Sequence, residues 1–163
     1  MKKLFIVLLL AFSSLVWAQA YKGKGDVKFQ VGANIQKWGS GISISTDFGI
    51  GENMSYGFVA SYLLNTNQDL GVPKFEDRFD VKARFNANLE NVFKVKNNID
   101  IYPGLDLGLR NFGAHLGGRY FFTNGFGVYS EIGFPIAKYN TNPSGYDYFN
   151  NQFVYTVGAS FNL

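Results

Sequence analysis

The sequence predicts an all-β protein, an eight-stranded antiparallel up-and-down transmembrane β-barrel, and three observations carry that prediction. Apolar and polar residues alternate with a period of two over eight segments, most strictly across residues 78–90. There Phe79, Val81, Ala83, Phe85, Ala87 and Leu89 interleave with Arg78, Asp80, Lys82, Arg84, Asn86, Asn88 and Glu90. A strand sends neighbouring side chains to opposite faces, so this segment has one apolar face and one ionic face. The chain also opens with a secretory-type leader, and no stretch after that leader has the period of a helix.

The leader consists of Lys2 and Lys3, an apolar run over residues 4–16, and small residues at Ala18 and Ala20. The run is too short to span a bilayer as a helix, so residues 1–20 read as a signal peptide removed after Ala18 or Ala20. Residues 21–163 are then the barrel domain. Loss of Lys2 and Lys3 takes the formal charge from +3 to +1, which removes the main argument for nucleic acid as a partner. With no cysteine, an exported chain has no disulfide staple and is held by burial and backbone pairing. Abundant Phe, Tyr and Gly against sparse charge exclude disorder.

The first strand is predicted from Val27, Phe29, Val31, Ala33 and Ile35, which alternate with Lys28, Gln30, Gly32 and Asn34. Gly39-Ser40-Gly41 reads as a break before a second strand carrying Ile42, Ile44, Thr46, Phe48 and Ile50. Gly51-Glu52-Asn53 reads as a turn into the third, with Tyr56, Phe58, Ala60 and Tyr62 on one parity. A polar stretch over residues 65–77, with Gly71 and Pro73, is a loop. Strand four is residues 78–90, and its turn into strand five lies within residues 91–97. Strand five spans about residues 98–109 and carries Pro103, which cannot donate to a ladder. Strand six is residues 114–122, joined through Thr123-Asn124-Gly125, a strong hairpin signal, to a seventh strand with Phe126, Val128, Ile132, Phe134 and Ile136. A Tyr-rich loop over residues 138–151 leads to the eighth, which ends the sequence.

Eight strands of roughly 9–11 residues match the smallest transmembrane barrels. Closure removes the unpaired strand edges that hydrocarbon penalises by several kcal/mol per group. The tight turns at residues 51–53 and 123–125 fall at the end carrying the termini, and the longer loops at the other, as in outer-membrane barrels. Parity then points Lys28, Arg78, Lys82, Arg84, Arg110 and Arg119 inward with Asp26, Asp47, Asp80, Glu90, Asp100, Asp106 and Glu131. The signs nearly cancel, and a barrel of this size is only just wide enough for side chains to fill, so the expected lumen is plugged and salt-bridged. Aromatic residues near strand ends, including Tyr56, Tyr62, Phe79, Tyr120, Phe122, Phe153, Tyr155 and Phe161, suit interfacial girdles. Two other arrangements fit the alternation: a narrow channel for small solutes, and a soluble secreted lipocalin-like binding barrel with the apolar parity inside.

The last strand reads Thr156-Val157-Gly158-Ala159-Ser160-Phe161-Asn162-Leu163. It resembles the C-terminal signal by which outer-membrane barrels are presented to their assembly machinery, with Thr156, Gly158, Phe161 and Leu163 at matching positions; a terminal Phe is commoner than Leu. Residues 84–89, 102–109 and 113–117 are similar to barrels known only as uncharacterised. From residue 26 to residue 163 the chain resembles the small outer-membrane β-barrel family of diderm bacteria, of the OmpA/OmpX size class. The resemblance implies a location in the outer membrane, with its lipid and the barrel-assembly machinery as partners. It implies no substrate.

No catalytic, metal or cofactor site is predicted. His115 is the sole histidine and its parity points into the lumen between Gly113 and Gly117, where a structural hydrogen-bonding role is expected. Asp80, Asp100, Asp106 and Glu131 have basic neighbours on their own parity, so ion pairing explains them better than metal binding or acid–base work. Residues 23–25 and 39–41 lack phosphate-loop spacing. The far loop offers Tyr139, Tyr146, Tyr148 and Phe149 among Asn, Ser and Gly, a mixture that makes an adaptable binding surface for an unidentified ligand.

Overall fold

A computed structural model describes residues 19–67, 72–90, 98–142 and 145–163. Residues 1–18, which hold most of the predicted leader, and residues 91–97, which hold the predicted turn between strands four and five, lie outside the described residues. The strands are β1 (Val27–Gln36), β2 (Gly39–Gly49), β3 (Met54–Thr66), β4 (Phe79–Ala87), β5 (Ile99–Gly108), β6 (Asn111–Phe121), β7 (Phe126–Lys138) and β8 (Val154–Asn162). They form one closed barrel in sequence order, each pairing antiparallel with its neighbours. Closure is made by β1 and β8, in register from Lys28–Asn162 to Gln36–Val154.

The barrel is inverted relative to a soluble one. Its buried set is dominated by polar side chains such as Gln30, Asp47, Arg84, Asn86, Asp100 and Arg119, whereas Val31, Ile44, Phe58, Phe85, Leu105, Leu116, Val128 and Phe134 are exposed. Apolar-out and polar-in is the pattern of a transmembrane barrel. Aromatic rings gather at both ends of the outer wall. At the end carrying the termini, Tyr120, Phe122, Phe126, Phe161 and Phe29 make an arc with successive centroids 5.1, 6.1, 5.6 and 6.3 Å apart. At the far end Phe75 lies between Tyr62 and Phe79, at 5.3 and 5.4 Å.

Three details differ from the sequence expectation. The connection between β1 and β2 is residues 37–38, and Gly39-Ser40-Gly41 belong to β2, where Gly41 lies against β3 too closely for any Cβ and the register shifts between Ser40 and Gly41. Glycine there marks close backbone approach rather than a turn. Arg78 closes a one-turn helix, α1 (Phe75–Arg78), so β4 begins at Phe79. Strand β6 begins at Asn111, leaving two residues between β5 and β6 and a low wall at the far end. Pro103 is accommodated because it faces Leu116 of β6, while the β4 register stops one residue away at Gly104–Asn86.

Candidate functional site

The inward parity of six strands meets in the middle of the lumen. Asp47 of β2 receives Arg84 of β4 through two bonds, Nε at 2.6 Å and Nη2 at 2.7 Å, and Arg119 of β6 donates to the same carboxylate. Arg84 also reaches Glu131 of β7 at 3.0 Å and donates to Gln30 of β1 at 3.0 Å and Ser45 at 3.3 Å. Arg119 extends to Asp100 of β5 at 3.4 Å, and its guanidinium carbon lies 3.8 Å from the Tyr102 ring centroid. Planar guanidinium groups suit this work: each can bond several acceptors and stack on a ring at once. Such charges tolerate burial because opposite signs and hydrogen bonds replace the lost water.

Around this centre lie smaller groups. His115 has Nδ1 3.0 Å from Asp106 and Nε2 2.8 Å from the Asn86 side-chain oxygen, with Tyr102 beside it at 6.1 Å. Those two partners are a carboxylate and an amide, with no hydroxyl or thiol between them. Asn86 and Asn88 both donate to Ser55, at 3.0 and 3.1 Å. Lys82 lies 3.9 Å from Asp80, and both border a polar cavity of about 50 Å³ with Ser61, Asp106, Glu131 and Asn150. Among the described residues no group of three His, Cys, Asp or Glu side chains could hold a metal ion.

Each mouth holds residues that the alternation does not single out. At the far mouth the β7–β8 loop turns inward at Asn150, whose φ of 56° lies in the left-handed region that Asn tolerates. Asn150 N–H donates to Gln36 at 2.9 Å, Gln36 Nε2 donates back to the Asn150 side chain at 3.0 Å, and Asn111 donates to the Asn150 carbonyl at 3.0 Å. At the other mouth Tyr21 is buried; its hydroxyl donates to the carbonyls of Gly51 at 3.0 Å and Met54 at 2.5 Å, and its N–H to Glu90 at 2.5 Å. Lys28 pairs with Asp26 and sits 5.9 Å from the Tyr21 ring and 5.4 Å from the Phe121 ring. Burial pushes the Glu90 carboxyl up to about 7, opposed by the N–H groups of Tyr21 and Ala20, and pushes the Tyr21 phenol up to about 12. The adjacent Asn150 and Asn151 were the available sequence signal for the far mouth; Tyr21 had none, being outside every strand.

Of the residues expected in the lumen network, Lys28, Asp47, Asp80, Lys82, Arg84, Glu90, Asp100, Asp106, His115, Arg119 and Glu131 face the interior or its mouths. Two of the expected arginines lie outside the strands. Arg78 belongs to α1, and Arg110 occupies the β5–β6 turn, where its guanidinium donates to the carbonyls of Glu76 at 2.6 Å and Asp77 at 3.3 Å. That bond ties the low β5–β6 wall to α1. In the far loop Tyr139 and Tyr148 are exposed and Tyr146 is half-buried, but Phe149 is fully buried beneath Tyr146 at 5.5 Å. Phe149 therefore packs into the rim and offers no binding surface. In β8, Thr156 is buried, Phe161 joins the aromatic arc, and Leu163 N–H donates to Val27 O at 3.0 Å.

The fold has solved counterparts. The N-terminal β-barrel domain of Pseudomonas aeruginosa OprF is similar over 87% of this chain and 100% of its own, at 8% identity and a TM-score of 0.61. A de novo designed transmembrane β-barrel is similar over 87% and 98%, at 8% identity and a TM-score of 0.56. Outer Membrane Protein G from Pseudomonas aeruginosa matches over 88% and 99%, at 10% identity and a TM-score of 0.47. The first two likenesses are of fold. No curated protein matches the sequence. A family model does match, over residues 11–163, and by that match the chain belongs to DUF6646, a family of unknown function.

Proposed function

We propose that this chain is an integral protein of the cell outer membrane, exported through a cleaved signal peptide, whose lumen is plugged and whose role is structural or surface-interacting. The observation that carries the reading is the convergence of Arg84 and Arg119 on Asp47 across the lumen, with Tyr102 stacked against Arg119. Buried, multiply bonded ion pairs resist the rearrangement that a solute would demand. The amide cluster around Asn150 and the Tyr21–Glu90 contacts support the same reading at the two mouths. In this orientation the end carrying the termini faces the periplasm, and the long β3–β4 and β7–β8 loops face outward.

The protein acts as no enzyme in this reading, since His115 is committed to Asp106 and Asn86. Lipid contacts the apolar wall, and the assembly machinery reads Thr156, Gly158, Phe161 and Leu163. A surface ligand would meet the exposed Tyr139 and Tyr148 with Tyr146 beside them. Cell fractionation followed by electrophoresis with and without boiling tests the location: a heat-dependent mobility shift in the outer-membrane fraction is expected, and a detergent-independent soluble protein overturns it. Planar-bilayer recording tests the plug: no steady conductance is expected, and stable single-channel steps overturn it.

A further inference from the structure

The leader offers two cleavage sites, after Val16-Trp17-Ala18 and after Ala18-Gln19-Ala20. The folded barrel distinguishes them. Ala20 is fully buried against Phe121, and its N–H joins that of Tyr21 at the Glu90 carboxylate. The Gln19 carbonyl accepts a bond from Asn162 of β8 at 3.4 Å, while Gln19 itself is exposed. Gly23 and Gly25, at φ 88° and 86°, let the chain fold back: Asp26 N–H donates to Gly23 O at 3.1 Å and Gly25 N–H to Gly49 O at 2.9 Å. Residues 19–21 are thus laid across the mouth from which β1 departs.

We infer that the export peptidase cuts the Ala18–Gln19 bond, and that the three residues retained, Gln19, Ala20 and Tyr21, form a built-in stopper at the periplasmic mouth. The inference rests on the reading of the chain as an exported barrel. The boundary between wet and buried falls at Gln19, where a new terminal ammonium stays in water. A cut after Ala20 would delete the Ala20 methyl from its place on Phe121 and one of the two amide donors to Glu90.

Intact mass and N-terminal peptide mass of protein purified from the outer-membrane fraction test the cut. A chain beginning at Gln19, free or cyclised with loss of ammonia, is expected. A start at Tyr21 overturns the inference and leaves export standing, whereas recovery of unprocessed precursor overturns both. Amide hydrogen exchange on the detergent-folded protein tests the seat independently of the cut. Slow exchange at Ala20 and Tyr21 is expected, accelerated about tenfold by Glu90→Ala with the β1 and β8 amides unchanged. Exchange at the rate of a free peptide in the unaltered protein overturns the stopper.

Discussion

Asp47 is the acceptor shared by two buried guanidinium groups, and its loss would leave both Arg84 and Arg119 without their common partner. Breaking a buried pair costs roughly 3–5 kcal/mol because the remaining charge is uncompensated. Asp47→Asn is therefore expected to lower the stability of the detergent-folded barrel by about that amount, read from urea unfolding. Glu90 carries a pH dependence. Lys28 at the N-terminal side and Asp100 on β5 act on it, and Tyr21 donates to it, while Asp26 and Arg119 on β6 act in turn on Tyr21 and Lys28. Burial raises its carboxyl from 4.5 to about 7, so the folded barrel prefers the neutral form. The stability this contributes is complete below 4.5 and is lost as pH rises through about 7. Unfolding midpoints of the unaltered protein should fall across that window relative to Glu90→Gln, which does not titrate there; parallel curves would refute the assignment.

The strands differ in what their sequence revealed. Faces were legible throughout, because a period of two assigns every residue on a strand to one side. Ends were not: Gly39 and Gly41 look like turn residues, yet they lie in β2 because β3 packs too close for a Cβ. Gly117 works the same way inside the barrel, where an added Cβ would collide with the Tyr102 ring. Gly117→Ala is expected to cost about 1–3 kcal/mol by overpacking, and Tyr102→Leu in the same chain should recover part of it. The outer face gives the opposite test. Ile44 lies midway along β2, exposed and opposite Val31. An arginine there should cost about 2–4 kcal/mol in lipid vesicles, the midplane penalty. A water-facing wall would accept the same charge with little change.

At the scale of the whole molecule, closure of β8 on β1 makes every strand an interior strand and leaves no unpaired edge to meet hydrocarbon. The walls are unequal in height at the far end: β7 runs to Lys138, while β5 stops at Gly108 and Arg110 bridges the gap to α1. The long β7–β8 loop folds back over that mouth through Asn150. If its outer rings recognise a surface ligand, replacing Tyr146 and Tyr148 with Ser should abolish binding to cells or polysaccharide while the heat-dependent mobility shift persists. Replacement of Phe149, which is buried, should instead weaken the shift itself.

The number of strands and the division of each into an apolar and a polar face follow from sequence periodicity, since alternation is a local property of extended backbone; which face turns inward, and the closure of β8 on β1, are long-range facts of the tertiary structure. Which charges meet was decided by the tertiary structure. Asp47 bonds Arg84 and Arg119, 37 and 72 residues away, and the period gives a side chain's face but neither its depth nor its partner across the lumen. Depth depends on register and strand stagger around the whole barrel. For the same reason Arg78 and Arg110, inward by parity, fall at the rim, while Tyr21 and Asn150, outside every strand, reach the two mouths.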